Sequence, residues 1–284
     1  VSADGEMAPL TSRGFLPVAL SAALALILFG ILLHVDGLDR PWILLVHQQA
    51  PQMVAVLGWS CVTVLGLGSV AIILVLAADR SEGHIAALLL PTFILGAVLT
   101  HLPKWLVAAP RPAGSSIAEQ LHVIGQAYKG SVSMPSGHAL TAGATALLLC
   151  LALGRRRPLA QGLILLAGAI VAWSRVVVGA HWPSDVFVGA GLGLLAVVLA
   201  LQLIAMPRLR QAYDALVHRI RTKGGQFAVA AVELAAAVAL LTERTGYPAG
   251  RPMVMLLALV AAGSALLRCR FALATARRAP LGPT

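Results

Sequence analysis

Charge is scarce in this sequence. Asp, Glu, Lys and Arg make up 11% of the 284 residues, against 59% hydrophobic residues and a mean hydropathy of +0.88; a soluble domain carries roughly a quarter charged residues. That poverty excludes a soluble globular protein and predicts one integral to the membrane. Cysteine is nearly absent. Cys61, Cys150 and Cys269 lie in or at the end of separate apolar runs with no paired spacing, which excludes a disulfide framework and a zinc site. Acidic residues are few, 11 against 21 Lys and Arg, for a net charge of +10. In a soluble chain this balance would suggest nucleic acid, but in a membrane chain the positions of Lys and Arg report topology first. No nucleic-acid partner is expected, and there is no internal repeat or low-complexity tract.

What is present is a succession of apolar runs, each long enough or nearly so for a hydrocarbon core of about 30 Å. They are Phe15 to Leu33, Met53 to Ala78, Ile85 to about Leu102, Ala139 to Leu153, Leu159 to Val178 and Val186 to Met206. The first reads as a retained helix, because no small-x-small cleavage site precedes the polar His34 to Arg40. Two further runs of fifteen residues, Phe227 to Leu241 and Met253 to Leu267, are short for a span and are read as a seventh and eighth helix. The sequence thus predicts an all-α polytopic membrane helical bundle. Residues 1–14 form a polar tail, disordered over residues 1–12, and residues 15–206 a six-helix core. Residues 207–223 form a basic amphipathic helix on the membrane surface, with Leu209, Tyr213, Leu216 and Ile220 on one stripe, and residues 224–284 a C-terminal hydrophobic hairpin with a basic tail.

Shorter features fill the gaps. Pro41 to Ala50, with Trp42, is too short to span and is expected on the outer surface. Pro103, Pro110 and Pro112 predict fraying of helix before a polar loop, Ala113 to Ser133, that is either a cap over a site or a passive connector. Gly189 and Gly193 predict close helix contact inside the bundle. Glu233 in the seventh run is open between a polar pathway and a structural role.

Eight alternating spans sort the cations. Fourteen of the 21 Lys and Arg fall on the side of the amino-terminal segment, and seven on the other. The positive-inside rule makes the first side cytoplasmic, in a plasma (inner) membrane. Lys104, Arg111, His138, Arg175, His181 and Asp185 then share the exterior or periplasmic face.

That face is where chemistry is expected. Lys104 and Arg111, seven apart, suit the oxygens of a phosphate dianion. Pro135-Ser136-Gly137-His138 opens a helix, so its backbone N–H groups, the helix dipole and the Ser136 hydroxyl form an anion site that Gly137 lets a ligand approach. Asp185, four residues after His181, can hold one ring nitrogen and leave the other as a nucleophile. His138 is placed to protonate a leaving oxygen and later to activate water. Each group also has a plain alternative: Lys104 or Arg175 as a snorkelling anchor, His181 and Asp185 as a structural pair, Pro-Ser-Gly as a turn. Their joint presence on one face favours phosphoryl chemistry, which requires no metal or cofactor from this set.

Lys104-x6-Arg111-Pro112, Pro135-Ser136-Gly137-His138 and Ser174-Arg175-x5-His181-x3-Asp185 resemble the three-part signature of the type 2 phosphatidic acid phosphatase (PAP2) superfamily. The resemblance covers about Phe15 to Met206, the six-helix core. It implies metal-independent hydrolysis through a phosphohistidine, with His181 as nucleophile, Asp185 as its partner and His138 as general acid. It implies Lys104, Arg111, Ser136, Gly137 and Arg175 as phosphate ligands. The implied partner is an amphipathic lipid phosphate among membrane lipids: undecaprenyl diphosphate, phosphatidylglycerol phosphate, phosphatidic acid or a lipid A phosphate. A phosphotransferase using the same phosphohistidine and a non-catalytic lipid-phosphate transporter or scaffold stay open. A haloperoxidase is disfavoured, since those relatives resemble the core in soluble form. Oligomeric state is not legible.

Overall fold

The computed structural model describes residues 15–79, 82–154 and 157–278, with side chains to residue 274. The expected N-terminal tail, Arg80, Arg155, Arg156 and the end of the basic tail lie outside the described residues. Everything regular is helical. In chain order the helices are α1 (Phe15–Val35), α2 (Asp39–Val46), α3 (Met53–Val64), α4 (Gly68–Asp79), α5 (His84–Val107), α6 (Gly137–Leu153), α7 (Pro158–Val177), α8 (Pro183–Ala205), α9 (Pro207–Arg221), α10 (Lys223–Thr242) and α11 (Arg251–Arg278).

Among the described residues, six helices are long and apolar enough to cross a membrane, or seven if the bent pair α3–α4 is one span. The chain is therefore a polytopic membrane helical bundle. The run Met53 to Ala78, expected as one span, is two helices meeting at 69°. Gly66 lies at the break, and a side chain there would press on His138. α5 does not fray at Pro103; it continues through Pro91 and Pro103 to Val107 and ends on Ala108 in a left-handed conformation. α10 and α11 are longer than the apolar runs that announced them, because α10 begins in polar residues at Lys223 and α11 runs on past Leu267 to Arg278.

The core is built on α8, the most enclosed of the spans. It packs against α1, α5 and α6, and small residues set the distance. A methyl on Gly191 would strike the Ala23 carbonyl of α1, and methyls on Gly189 and Gly193 would strike carbonyls of Ser136 and Leu140 at and in α6. The predicted glycine contact is thus internal to the bundle. α9 is amphipathic; Tyr213, Val217 and Ile220 are buried in the main hydrophobic cluster with residues of α4, α5 and α8, with Leu216 packed against it, while Leu209 of the same stripe stays exposed. The Tyr213 hydroxyl donates to the His84 carbonyl at 3.0 Å and Arg221 Nε to the Glu82 carbonyl at 2.8 Å, holding α9 to the start of α5.

α10 and α11 form a hairpin lying on α3 and α4. Val64, Leu67, Val70 and Ile73 meet Ala236, Leu240, Val254 and Leu257 there. Glu233 has a structural setting: one carboxylate oxygen accepts from Ser264 Oγ at 2.7 Å, and the other lies 3.5 Å from Arg268 Nε. Arg268 also donates to the Gln226 side chain and the Leu76 carbonyl.

Candidate active site

At the end of the bundle away from α9, the close of α5, the loop to α6, the α7–α8 turn and the α10–α11 turn converge. The loop is held by backbone bonds that give it a defined course. Arg111 N–H donates to the Gly130 carbonyl at 3.0 Å, and Ser133 N–H to the Ala109 carbonyl at 2.9 Å. Ile124 N–H bonds the Val178 carbonyl at 3.3 Å and Gln126 N–H the Gly246 carbonyl at 2.9 Å. Two 3-10 turns, Pro112–Gly114 and Ala118–Gln120, lie within it. This loop is packed over the turn into α8 rather than standing away from it.

His181 is in that turn and Asp185 in the first turn of α8. His181 Nδ1 is 3.1 Å from Asp185 Oδ2, as the four-residue spacing predicts. The same oxygen accepts from Ser133 Oγ at 2.5 Å and Trp182 N–H at 2.9 Å, so the carboxylate is fixed from three directions. Arg111 Nη1 lies 3.3 Å from His181 Nε2 and donates to the Ala180 carbonyl at 3.1 Å. A guanidinium has only donors, so Nε2 is the accepting nitrogen and Nδ1 carries the proton given to Asp185. The imidazole is buried among Arg175, Arg111 and Lys104. Desolvation first, then those cations, hold its pKa well below the ordinary histidine value. A neutral ring with a lone pair on Nε2 is the consequence.

The other predicted residues gather round it. Arg175, in the last turn of α7, is buried, with Nη1 donating to Thr63 Oγ1 at 2.6 Å and to the Tyr247 hydroxyl at 2.9 Å. Arg111 lies over the Tyr128 ring, 5.3 Å to its centroid. Ser136 is the N-cap of α6, accepting from Ala139 N–H at 3.4 Å, and its backbone N–H donates to the Asp185 carbonyl at 3.0 Å, which ties the α6 start to α8. Gly137 opens α6, and a Cβ there would meet only the Thr100 methyl at 3.7 Å, so packing does not demand the glycine. His138 follows, close enough to Arg175, His181, Arg111 and Lys104 to feel each electrostatically. All eight predicted residues therefore come to one end of the bundle. His138 also lines a cavity of 260 Å³ that runs between the start of α4, α5 and α6, walled by Leu89, Phe93, Ala97, Leu140, Ala144 and Leu148.

Several members were not read from the sequence. Ser133, Thr63 and Tyr247 sit far along the chain from what they touch, and nothing in their spacing marks them. His47 ends α2, the short outer segment. Its Nε2 bonds the Val176 carbonyl at 3.0 Å and its Nδ1 accepts from His122 N–H at 3.1 Å, propping the end of α7. Burial lowers its pKa, which suits a neutral ring using one nitrogen as donor and the other as acceptor. Asp39 fixes the start of α8 by accepting from Ser184 N–H at 2.8 Å and Ser184 Oγ at 2.5 Å.

Comparison with known proteins bears on the same segment. Residues 85–208 match the PAP2 superfamily. The chain is 33% identical over 141 residues to a decaprenylphosphoryl-5-phosphoribose phosphatase of Mycobacterium tuberculosis, an alignment covering 48% of this chain and 66% of that protein. It is 30% identical over 136 residues to an undecaprenyl-diphosphatase of Sulfolobus acidocaldarius, covering 47% of this chain and 60% of that protein. The chain thus spans just under two thirds of the mycobacterial relative. No solved structure matches. The chain is homologous to membrane phosphatases of the PAP2 superfamily, and the hairpin α10–α11 lies beyond the residues 85–208 that match the family.

Proposed function

We propose that the chain is a membrane lipid phosphatase that removes a phosphomonoester or terminal diphosphate phosphate through a phosphohistidine on His181. The observation that carries the reading is the environment of His181: Nδ1 held by Asp185, Nε2 turned to Arg111, and three cations round a neutral ring. Nε2 attacks phosphorus, and an N–P bond forms as the P–O bond to the lipid breaks. His138 gives the leaving oxygen its proton. Water then attacks the phosphohistidine, His138 takes a proton from it, and the N–P bond breaks to release inorganic phosphate. Lys104, Arg111, Arg175 and the α6 start, with Ser136 and Gly137, stabilise the equatorial oxygens, the main task in phosphoryl transfer.

The cavity beside His138 supports a lipid rather than a soluble substrate. It follows α6 from Gly137 to Leu148, about 16 Å at 1.5 Å per residue, and suits an apolar chain. Both relatives carry polyprenyl names, so a polyprenyl-linked phosphate is the substrate class we place first. The test is release of phosphate by purified protein in detergent with EDTA, against undecaprenyl diphosphate, a decaprenylphosphoryl phosphoribose, phosphatidylglycerol phosphate, phosphatidic acid and lipid A. Release from a polyprenyl substrate, lost at least a thousandfold in His181→Ala, is the expected result. No release from any substrate sinks the enzyme reading, and label passing to an acceptor lipid instead of water would make the protein a phosphotransferase.

A further inference from the structure

Arg175 is a buried cation whose orientation is settled by two partners outside its own helix. Nη1 has two hydrogens, and they go to Thr63 Oγ1 and the Tyr247 hydroxyl, at 2.6 and 2.9 Å. Nε has no protein partner and is out of contact with solvent. Pinning Nη1 therefore fixes the plane of the guanidinium and leaves Nε, on the edge that can take two oxygens of a phosphate at once, without a protein partner. The Tyr247 ring lies under the guanidinium, 5.3 Å from Cζ to the centroid, a cation–π contact that favours the same plane. Burial raises the phenol pKa, so the hydroxyl stays neutral and keeps a lone pair for Arg175.

Tyr247 does not come from the phosphatase-like segment, which ends at residue 208. It stands at the turn between α10 and α11, and that turn is built to deliver it. Gly246 has φ +78°, and its carbonyl accepts from Gln126 N–H of the α5–α6 loop at 2.9 Å. Gly125 opposite has φ +75°, and a Cβ there would collide with that carbonyl and the Tyr247 ring. Gly250 is equally close to the Ser60 carbonyl of α3. Tyr247 is left 2% exposed, packed with Ile124, Val178 and Ala180.

We infer that Tyr247 is a positioning residue for Arg175, and that the C-terminal hairpin completes the phosphate site of the core by supplying it. The inference rests on the proposed phosphatase reading. Its test is a coupling cycle in the full-length protein: orthophosphate binding by calorimetry, and phosphate release from a polyprenyl phosphate, for wild type, Tyr247→Phe, Arg175→Lys and the double variant. Tyr247→Phe keeps the ring and removes the acceptor. It should weaken orthophosphate binding and kcat/KM by about tenfold, the scale of one hydrogen bond to a charged group, while in the Arg175→Lys background, where there is no fork to orient, the same change should cost less than about twofold. Equal losses in both backgrounds, or no loss at all, overturn the inference and leave the phosphatase reading standing. A wild type that neither binds orthophosphate nor releases it defeats that reading and this inference with it. If Tyr247→Phe does not fold, Tyr247→Gln, which keeps an acceptor, carries the test. It should bind orthophosphate within about threefold of wild type, and a folded variant that does not would also overturn the assignment.

Discussion

His181 and Asp185 were legible as a pair because a spacing of four brings two side chains together at the start of a helix. Ser133 was not legible, because its bond to Asp185 joins positions 52 residues apart. Yet Ser133 is one of three donors fixing the carboxylate that orients His181, so on the proposed mechanism Ser133→Ala is expected to lower kcat about tenfold with KM little changed, as steady-state kinetics would register. The pH profile tests the same environment. Desolvation and the cations disfavour imidazolium, so His181 stays neutral as pH falls through the ordinary histidine value near 6.5, and the acid limb of kcat/KM that belongs to it should lie below that value. Arg111→Met removes one of those cations. It should lower the rate and move that acid limb to higher pH; an unmoved limb would mean that Arg111 does not act on His181.

At the level of the helix, hydropathy located every apolar segment, and what it missed were the interruptions. A run such as Met53 to Ala78 carries no proline, and its break lies among ordinary apolar residues and glycines that composition alone does not distinguish. The break matters, because it sets Gly66 against His138 and opens the mouth of the cavity between α4, α5 and α6. α5 errs the other way: prolines predict fraying, but it stays helical through Pro103 to Val107, which carries Lys104 to the site within a helix. If the cavity takes the lipid chain, filling it should separate chain recognition from chemistry. Thr141, which lines it about one turn below His138, is only partly buried. Thr141→Phe should reduce kcat/KM for a long polyprenyl phosphate at least tenfold and leave a short-chain, water-soluble phosphomonoester within about twofold. Parallel losses on both substrates would show that the cavity is not the chain's path.

For the whole molecule, α5 is the axis that separates two ends. Its first residues are held by α9 through Tyr213 and Arg221, its last turn carries Lys104, and about 30 Å lie between His84 and Lys104 at 1.5 Å per residue. The basic helix α9 and the candidate site therefore lie at opposite ends of α5, and the sequence put them on opposite faces only by counting spans. That count depends on α6, at 17 residues the shortest of the single apolar helices, and on cations such as Arg13, Arg80, Arg155 and Arg156 that lie outside the described residues. Accessibility decides the orientation directly. Gly130, in the loop over the site, and Gly224, at the start of α10, both have open space where a side chain would go, so a cysteine at either is tolerated. With Cys61, Cys150 and Cys269 replaced, a membrane-impermeant maleimide on intact cells should label Gly130→Cys and spare Gly224→Cys until the membrane is permeabilised. The opposite pattern would put the histidines at the cytoplasmic face, where the substrate would have to be a phosphate presented on the inner leaflet, and the positive-inside count would be outweighed by the packing of α9 beneath α5.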